Sequence, residues 1–315
     1  MSSVVTFGET MGLFRSTGTG SMSTESNFRL SIGGAESNVA IGLSRLGVAT
    51  TWLGRVGSDG LGDRIARELR AESVTTMAIV DSEAATGLMI KERRTGDATR
   101  VIYHRSRSAG SRLNRGDVAQ AGIANAAVLH LSGISLALSS SAADAVAAAV
   151  EEASAAAVPV SFDVNHRASL WNEHCAGPAY RDLASRATIV FAGIDEARLL
   201  VPNAEPTPTS LAKAIAELGP SQVLIKLGAE GCIAFVDGVE YVQAAIRVKA
   251  IDTVGAGDAF AAGYLAEFTR GLDIPERLVT AVTMGAFACL NDGDWEGYPR
   301  RDELGLLTEI EPVTR

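Results

Sequence analysis

The segment DTVGAGDAF at residues 252–260 carries the strongest chemical signal in the sequence. Gly255 and Gly257 leave backbone N–H groups unshielded just before a stretch of good helix formers, and such a helix N-terminus favours a bound anion. A carboxylate beside phosphate costs electrostatic free energy, which indicates that Asp258 has a function in the chemistry. The obvious function is to accept the proton of an attacking hydroxyl. The segment therefore predicts phosphoryl transfer with Asp258 as general base. A glycine turn followed by a helix that Asp258 caps is the alternative.

A second glycine cluster, GGAESN at residues 33–38, precedes an amphipathic stretch that ends at Gly47. Its glycines let a ligand approach the backbone, and the amide of Asn38 offers both a hydrogen-bond donor and an acceptor at the start of a helix. Taken alone, a Gly-Gly turn with a helix cap is the commoner explanation. A ligand-binding role for this cluster is favoured only when it is considered together with the segment at residues 252–260.

Strand-like and helix-like segments alternate through the second half of the chain. Short runs rich in Val and Ile predict buried strands at residues 128–134, 158–164, 188–192 and 223–227. Helical composition occupies residues 140–157, 179–187, 195–201 and 210–218, and serines at 139–141 offer an N-cap for the first of these helices. This alternation predicts an α/β fold whose mainly parallel central sheet is flanked by helices.

A different pattern occupies residues 86–106. Residues 86–94 and 99–106 alternate polar and apolar side chains around a turn at residues 95–98, which predicts a β-hairpin. Its polar content is too high for a central strand, so we expect the hairpin to join residues 12–30 in a small β lid. No linker or charge block marks a second domain, and we expect residues 1–315 to form one domain.

The composition limits the class of protein. The 315 residues are 47% hydrophobic and carry a formal charge of −9, which excludes a disordered chain and disfavours nucleic-acid binding. Three widely spaced cysteines, Cys175, Cys232 and Cys289, suggest neither a disulfide framework nor a zinc site. The first residues lack signal-peptide features and no apolar run is long enough to cross a bilayer, so we expect a cytoplasmic protein without membrane contact.

Together, the two glycine segments resemble the N-terminal and C-terminal signatures of the ribokinase-like, or phosphofructokinase B-type, carbohydrate kinases. GRVGSDGLG at residues 54–62 and KLGAEG at residues 226–231 also match the family pattern, so the resemblance covers essentially the whole chain. It implies a ribokinase-like α/β fold with a β lid, and phosphorylation of a sugar-like hydroxyl group by ATP with Mg2+. It also implies that Asp258 is the base and that Gly255, Ala256 and Gly257 form the anion hole.

The resemblance further implies a set of residues around the nucleotide. An ordinary lysine at the end of a strand is the alternative for Lys226. Many members carry Asn-x-x-Glu as a metal and phosphate element, whereas residues 193–196 here read GIDE, with Gly193 in place of the asparagine. Glu196 is the remaining candidate metal contact, acting through water. The implied nucleotide-binding residues are Asn165, Lys226, Gly228, Gly231, Gly255, Ala256, Gly257 and Asn291.

Within the family the sequence is most similar to 2-keto-3-deoxygluconate kinases, in GETM at residues 8–11, YHR at 103–105 and DVNHR at 163–167. The carboxylate of a sugar acid needs a cationic partner once desolvated, and Arg105 and Arg167 are the candidates, one for this carboxylate and one for the nucleotide phosphates. A solvated edge charge is the alternative for Arg105, and a surface turn is the alternative for Asp294. The implied sugar contacts are Gly34, Asn38, Tyr103, Arg105, Arg167, Asp252, Asp258 and Asp294.

The predicted reaction is transfer of the γ-phosphoryl group of ATP to the terminal (C6) hydroxyl of 2-keto-3-deoxygluconate. A fructokinase or another neutral-sugar kinase is the first alternative, and a non-catalytic sugar- or nucleotide-binding regulator is the second. The expected partners are therefore a sugar acid and ATP, together with a homo-oligomer assembled through the lid.

Overall fold

The computed structural model describes residues 3–95 and 99–307. In this part of the chain, nine strands form one sheet and four strands form a second, smaller sheet. The strands are β1 (Val4–Phe7), β2 (Met11–Ser16), β3 (Phe28–Gly33), β4 (Thr50–Gly57), β5 (Thr75–Asp81), β6 (Leu88–Arg93), β7 (Thr99–His104), β8 (Val128–Ser132), β9 (Val160–Asp163), β10 (Ile189–Gly193), β11 (Gln222–Lys226), β12 (Cys232–Val236) and β13 (Val239–Gln243).

Helices pack on both faces of the large sheet. The α-helices are α1 (Ala35–Arg45), α2 (Gly60–Ala71), α3 (Arg115–Val118), α4 (Gly133–Leu138), α5 (Ser140–Ala155), α6 (Glu173–Ser185), α7 (Ile194–Leu200), α8 (Pro208–Ala216), α9 (Ala256–Thr269) and α10 (Ile274–Ala288). Short 3₁₀ helices occupy Gly110–Arg112, Ile123–Asn125, Gly228–Glu230 and Arg301–Leu307. Within the described ranges, every helix is too short or too polar to span a bilayer.

The large sheet confirms the predicted α/β architecture. Its strand order is β13-β12-β11-β10-β9-β8-β1-β4-β5, parallel from β11 to β5, with β12 and β13 added antiparallel at one edge. Alternate residues of the parallel strands enter opposite apolar layers. Phe191 of β10 packs edge-on against Tyr264 of α9, whereas Val190 lies in the layer on the other face. Burial on both faces explains why these strands appear as continuous apolar runs in the sequence.

Several predicted boundaries shift, and side-chain caps explain the shifts. The strand predicted at residues 128–134 ends at Ser132, because the Ser132 hydroxyl accepts the Ile134 N–H and starts α4. The helix predicted at residues 179–187 begins earlier, at Glu173, because Asn172 caps it by accepting the Cys175 N–H. The predicted serine cap is confirmed, since Ser139 accepts the Ala142 N–H at the start of α5.

The small sheet confirms the predicted lid. Its strand order is β3-β2-β6-β7, so the β6–β7 hairpin joins the β2–β3 pair through a parallel contact between β2 and β6. Residues 96–98 of the predicted hairpin turn lie outside the described residues. Alternation gives this sheet two distinct faces. One face carries Leu13, Met89 and Tyr103, which line a cavity, and the other carries a row of half-buried apolar residues across all four strands: Leu30, Phe14, Ile90 and Ile102.

Candidate active site

A cavity between the lid and the large sheet brings together residues from distant parts of the chain. We call its two sides the body wall (Gly34, Asn38, Arg167, Gly255 and Asp258) and the lid wall (Leu13, Met89, Lys91, Tyr103 and Arg105). Glu9, from the segment between β1 and β2, and Asp294, from the loop after α10, complete the polar lining. Of the predicted sugar contacts, every residue except Asp252 lines this cavity.

The N-terminus of α9 forms part of the body wall. Gly255 caps the helix with a left-handed backbone (φ 80°), and a Cβ atom there would lie 1.8 Å from the carbonyl oxygen of Asp294. Only glycine fits this close approach, and the Tyr298 hydroxyl fixes it further by donating to the Gly255 carbonyl at 2.7 Å. The turn thus places the first amides of a 14-residue helix beside the cavity.

The first amides of α9 are only partly used within the protein. The Ala256 N–H donates to the Thr253 carbonyl at 3.3 Å, while the N–H groups of Gly257 and Asp258 have no acceptor among the described residues. Open amides and the positive end of the helix dipole together suit a phosphate oxygen. Gly257 and Asp258, more than Ala256, supply the open donors of the predicted anion hole.

Asp258 is buried at the centre of the body wall, held by two asparagines. Its Oδ2 accepts a hydrogen bond from Asn38 Nδ2 at 2.8 Å, and its Oδ1 accepts one from Asn165 Nδ2 at 3.3 Å. Asn165 adopts a left-handed backbone (φ 40°) two residues after the end of β9, which is a strained conformation for a residue other than glycine. The structure shows the Asn165 amide donating to this carboxylate, and nucleotide binding by Asn165 stays a prediction.

Burial raises the pKa of the Asp258 carboxyl to about 7. The hydrogen bond from Asn38 opposes this effect, the nearby charge of Asp163 adds to it, and the cations Arg167 and Lys226 oppose it more weakly. A carboxylate with a pKa near neutrality accepts a proton more readily than an ordinary aspartate does. Its environment therefore suits Asp258 to general-base chemistry.

Asn38 has a second polar group available. It lines the cavity from the first turn of α1, and its Oδ1 is buried without a hydrogen-bond partner among the described residues. An unpaired buried acceptor costs free energy unless a ligand supplies a donor. A ligand hydroxyl is the simplest such donor, in agreement with the predicted sugar contact.

Lys226 ends β11 close to the start of α9. Its ammonium bonds both oxygens of Asp163, at 2.7 and 2.8 Å, and lies 3.4 Å from the position that a Cβ atom would take at Gly257. Burial alone would lower the pKa of Lys226, but the charges of Asp163, Glu196 and Asp258 outweigh it and raise that pKa. Lys226 is therefore a fixed positive charge beside the open amides.

The other predicted nucleotide and metal residues do not line the cavity. Gly228 and Gly231 form the turn after β11 with left-handed backbones (φ 60° and 103°), and Asn291 is exposed after α10. Glu196 accepts the N–H groups of Gly193 and His166, and so connects the ends of β10 and β9. Within the described ranges, no group of three or more His, Cys, Asp or Glu side chains could hold a metal ion by itself.

The two predicted arginines differ in their surroundings. Arg105 is 8% exposed, donates from Nε to Glu9 Oε2 at 2.7 Å, and lies over the ring of Tyr103 at 5.6 Å. Arg167 is exposed, and among the described residues its guanidinium has no ion pair or hydrogen bond. The charge of Arg105 is balanced within the lid side of the cavity, whereas that of Arg167 is available to a ligand.

Sequence reasoning missed Lys91 and Glu9. Lys91 is a buried residue of the lid wall whose ammonium contacts Asp252 Oδ2 and lies 3.6 Å from Asp294 Oδ1. Asp252 thus pairs with Lys91 and does not itself line the cavity. Period-two alternation in β6 places Lys91 on the same face as Met89, but alternation does not indicate which face is buried. The only signal for Glu9 is its place in the GETM segment at residues 8–11.

Comparison with known proteins gives a consistent result. Residues 1–301 match the pfkB family carbohydrate kinase. The chain is 36% identical over 304 residues to a 2-dehydro-3-deoxygluconokinase of Bacillus subtilis (95% of this chain, 93% of that protein). It is 32% identical over 312 residues to a 2-dehydro-3-deoxygluconokinase of Thermoproteus tenax (98% and 94%). A crystal structure of a putative ribokinase II from E. coli in complex with ATP and Mg2+ superimposes with a TM-score of 0.89 at 25% identity, over 98% of this chain and 99% of that one.

Proposed function

Since the chain belongs to the pfkB family of carbohydrate kinases, we propose that it transfers the γ-phosphoryl group of ATP to the C6 hydroxyl of 2-keto-3-deoxygluconate. This sugar acid is the 2-dehydro-3-deoxygluconate in the names of the two relatives. The observation that carries the proposal is the position of Asp258. A buried carboxyl with a pKa of about 7 lies beside the open amides of α9 and lines the cavity under the lid.

The proposed reaction assigns one task to each group around Asp258. The terminal hydroxyl of the sugar gives its proton to the Asp258 carboxylate while its oxygen forms a bond to the γ-phosphorus. The bond between that phosphorus and the β–γ bridging oxygen breaks, and ADP leaves with the electron pair. The N–H groups of Gly257 and Asp258, with the ammonium of Lys226, stabilise the negative charge on the phosphoryl oxygens.

MgATP as the phosphoryl donor fits the residues near Lys226 and Glu196. The ammonium of Lys226 contacts both oxygens of Asp163 and compensates its negative charge, which makes Asp163 a poor metal ligand. Each oxygen of Glu196 accepts one amide hydrogen bond and keeps lone pairs for further contacts. Magnesium usually retains several waters beside nucleotide phosphates, so a water-mediated contact to Glu196 is consistent with this arrangement.

The preference for a sugar acid depends on the lid wall. The carboxylate and the C6 hydroxyl are at opposite ends of the six-carbon chain, so a hydroxyl at Asp258 directs the carboxylate away from it. Arg105 spends its Nε and one terminal nitrogen on Glu9 and keeps other N–H donors beside Tyr103. Arg167 lines the body wall together with Asp258, and its positive charge lowers the pKa of that carboxyl. We assign Arg105 to the carboxylate and Arg167 to the phosphates.

A substrate panel tests the proposal. ADP formation is measured with 2-keto-3-deoxygluconate, fructose and ribose as acceptors at matched concentrations. Because hydrogen bonds to charged groups contribute about 1.5–3 kcal/mol, we expect kcat/KM for the acid to exceed that for either neutral sugar by at least ~10-fold. Equal or better use of fructose would indicate a neutral-sugar kinase, and ATP consumption independent of every sugar would indicate a regulator.

We also propose that the protein forms a homo-oligomer through the lid, in the cytoplasm. The apolar row Leu30, Phe14, Ile90 and Ile102 lies on the lid face opposite the cavity and suits contact with a second copy. Unpaired cysteines are compatible with a reducing compartment.

Analytical ultracentrifugation tests the assembly. The parent protein should sediment as an oligomer and the Ile102→Glu variant as a monomer. A parent protein that is monomeric at micromolar concentration would contradict the proposed assembly.

A further inference from the structure

A buried ammonium group connects the lid to the loops that shape the anion site. Lys91, on β6, is 3% exposed and lines the cavity. Its Nζ donates to Asp252 Oδ2 and lies 3.6 Å from Asp294 Oδ1. These three side chains come from the lid, the segment before α9 and the loop after α10. A single lid residue therefore contacts both segments that flank the start of α9.

Both carboxylates belong to segments that define the conformation of Gly255. The second oxygen of Asp252, Oδ1, accepts the Val254 N–H at 3.2 Å and so fixes the turn immediately before Gly255. The backbone of Asp294 passes so close to Gly255 that no side chain fits between them. A shift of either aspartate would therefore move the turn that presents the amides of Gly257 and Asp258.

We propose that Lys91 is a positioning residue through which the closed lid holds Asp252 and Asp294, and with them the anion site of α9, in the geometry that phosphoryl transfer requires. The inference rests on the proposed function, because the anion site matters only if a phosphoryl group is transferred there. Lys91 acts through the two aspartates and not on the reacting atoms.

The charges of Lys91, Asp252 and Asp294 interact, so loss of Lys91 should change the pH dependence of kcat. Burial raises the pKa of Asp294 to about 6, Lys91 opposes this effect, and the charges of Glu296 and Asp252 add to it. Two buried carboxylates that share one ammonium repel each other when it is removed, and a proton then takes its place. The other titratable groups electrostatically coupled to the two aspartates are Cys289, Glu296 and Tyr298.

The lid also supplies a matched control. Arg93, two residues along β6, pairs with Asp292 of the same loop after α10. This pair is partly exposed, with 29% of the Arg93 side chain and 41% of the Asp292 side chain accessible, and neither residue lines the cavity. Removing Arg93 deletes a lid–loop ion pair without leaving a buried charge unpaired.

The test compares Lys91→Met with Arg93→Met in the full chain, using whichever sugar the panel identifies. We expect Lys91→Met to lower kcat by about 30-fold or more, with KM for ATP and for the sugar within about threefold, and Arg93→Met to change kcat less than about twofold. The ratio of Lys91→Met to parent kcat should rise severalfold between pH 8.5 and pH 6, because a shared proton relieves the repulsion between the aspartates. A loss confined to the sugar KM, a loss equal at all pH values, or no loss would each overturn the inference.

A second variant covers the case in which Lys91→Met does not fold. In Lys91→Met/Asp252→Asn only one of the two carboxylates remains charged, so the repulsion is absent. We expect thermal unfolding to return toward that of the parent and kcat to exceed that of Lys91→Met, or to be measurable where the single variant has none. A double variant no better than the single variant in either measurement would contradict the electrostatic account. A parent without sugar-dependent turnover would instead refute the proposed function itself.

Discussion

The two walls of the cavity differ in how their polar groups are paired. On the body wall, the pKa of Asp258 is raised to about 7, Asn38 Oδ1 has no partner among the described residues, and the guanidinium of Arg167 is unpaired there. On the lid wall, Lys91 is paired with Asp252, and Arg105 with Glu9. In the proposed reaction, the body wall therefore supplies the chemistry, and the lid wall positions and selects the substrate.

The walls differ because they are built from different secondary structure. The body wall is built from helix N-termini and the carboxyl ends of parallel strands, which provide backbone donors and a helix dipole, so its positive potential does not depend on side-chain charges alone. A small sheet with antiparallel pairs has little net dipole, so the lid contributes positive charge only through side chains. A buried cation requires an anionic partner, and Glu9, Asp252 and Asp294 supply those partners.

The largest expected effect is on the body wall. Asp258→Asn removes the proton acceptor while keeping the size of the side chain, so kcat should fall by about 10³-fold or more. Binding of ATP, measured by calorimetry, should change little because the amides of α9 remain. Asp144→Asn, on the exposed face of α5, is the control and should match the parent. If kcat for Asp258→Asn stayed within a few-fold of the parent value, Asp258 would not be the general base.

A smaller and selective effect is expected on the lid wall. Arg105→Met/Glu9→Gln removes a buried ion pair without leaving either charge alone, and should raise KM for the sugar acid by about 10–30-fold because one charged hydrogen bond is lost. The kcat/KM for fructose should stay within about threefold. Steady-state kinetics with both sugars give the comparison, and equal losses for both would refute the assignment of Arg105 to the carboxylate.

The single variant Arg105→Met tests the pairing itself. It leaves Glu9 charged and fully buried, so the free energy of unfolding should drop by about 3–5 kcal/mol, and the double variant should recover most of this loss. Denaturant unfolding measures both variants. If the single and double variants were equally stable, the ion pair would not hold this part of the lid.

The pH dependence tests the body wall without mutation. The pKa of Asp258 is raised from its ordinary value to about 7, and a base must be ionised to act, so activity is lost as the pH falls through 7. We expect kcat at pH 6 to be about tenfold below its plateau above pH 8. A kcat that stays constant down to pH 5 would show that the carboxyl titrates far lower or takes no proton.

The smallest expected effect concerns the second asparagine on Asp258. Asn165→Ala removes a hydrogen bond of 3.3 Å, longer than the 2.8 Å bond from Asn38, so kcat should fall only about two- to fivefold. Asn38→Ala should cost more, because it also removes the unpaired acceptor in the cavity. A larger loss for Asn165→Ala than for Asn38→Ala, measured as kcat, would reverse this ranking.

Sequence alone predicted the body wall better than the lid wall, for a physical reason. Gly255 and Asp258 lie within one contiguous segment, so the turn, the open amides and a carboxylate beside them could be predicted together. The parallel strands were recognisable because burial on both faces makes them continuously apolar. Their ends were less accurate, because caps such as Ser132 decide where a strand gives way to a helix.

The missed features arise from pairing between distant segments. Lys91 gains its role from Asp252 and Asp294, and nothing within β6 indicates that its ammonium is buried against them. Similarly, the amide of Asn165 turns to Asp258 because of a left-handed backbone that its local sequence does not reveal. Such contacts join segments that are far apart in the sequence, and only the tertiary structure defines them.

Identifying the product tests the central claim most directly. The protein is incubated with ATP, Mg2+ and 2-keto-3-deoxygluconate, and the reaction is followed by phosphorus NMR coupled to carbon assignment of the sugar. The account predicts one phosphate monoester at C6, formed in step with ADP and absent with Asp258→Asn. A phosphate ester at another carbon, inorganic phosphate as the only product, or the same ester formed by Asp258→Asn at the parental rate would contradict it.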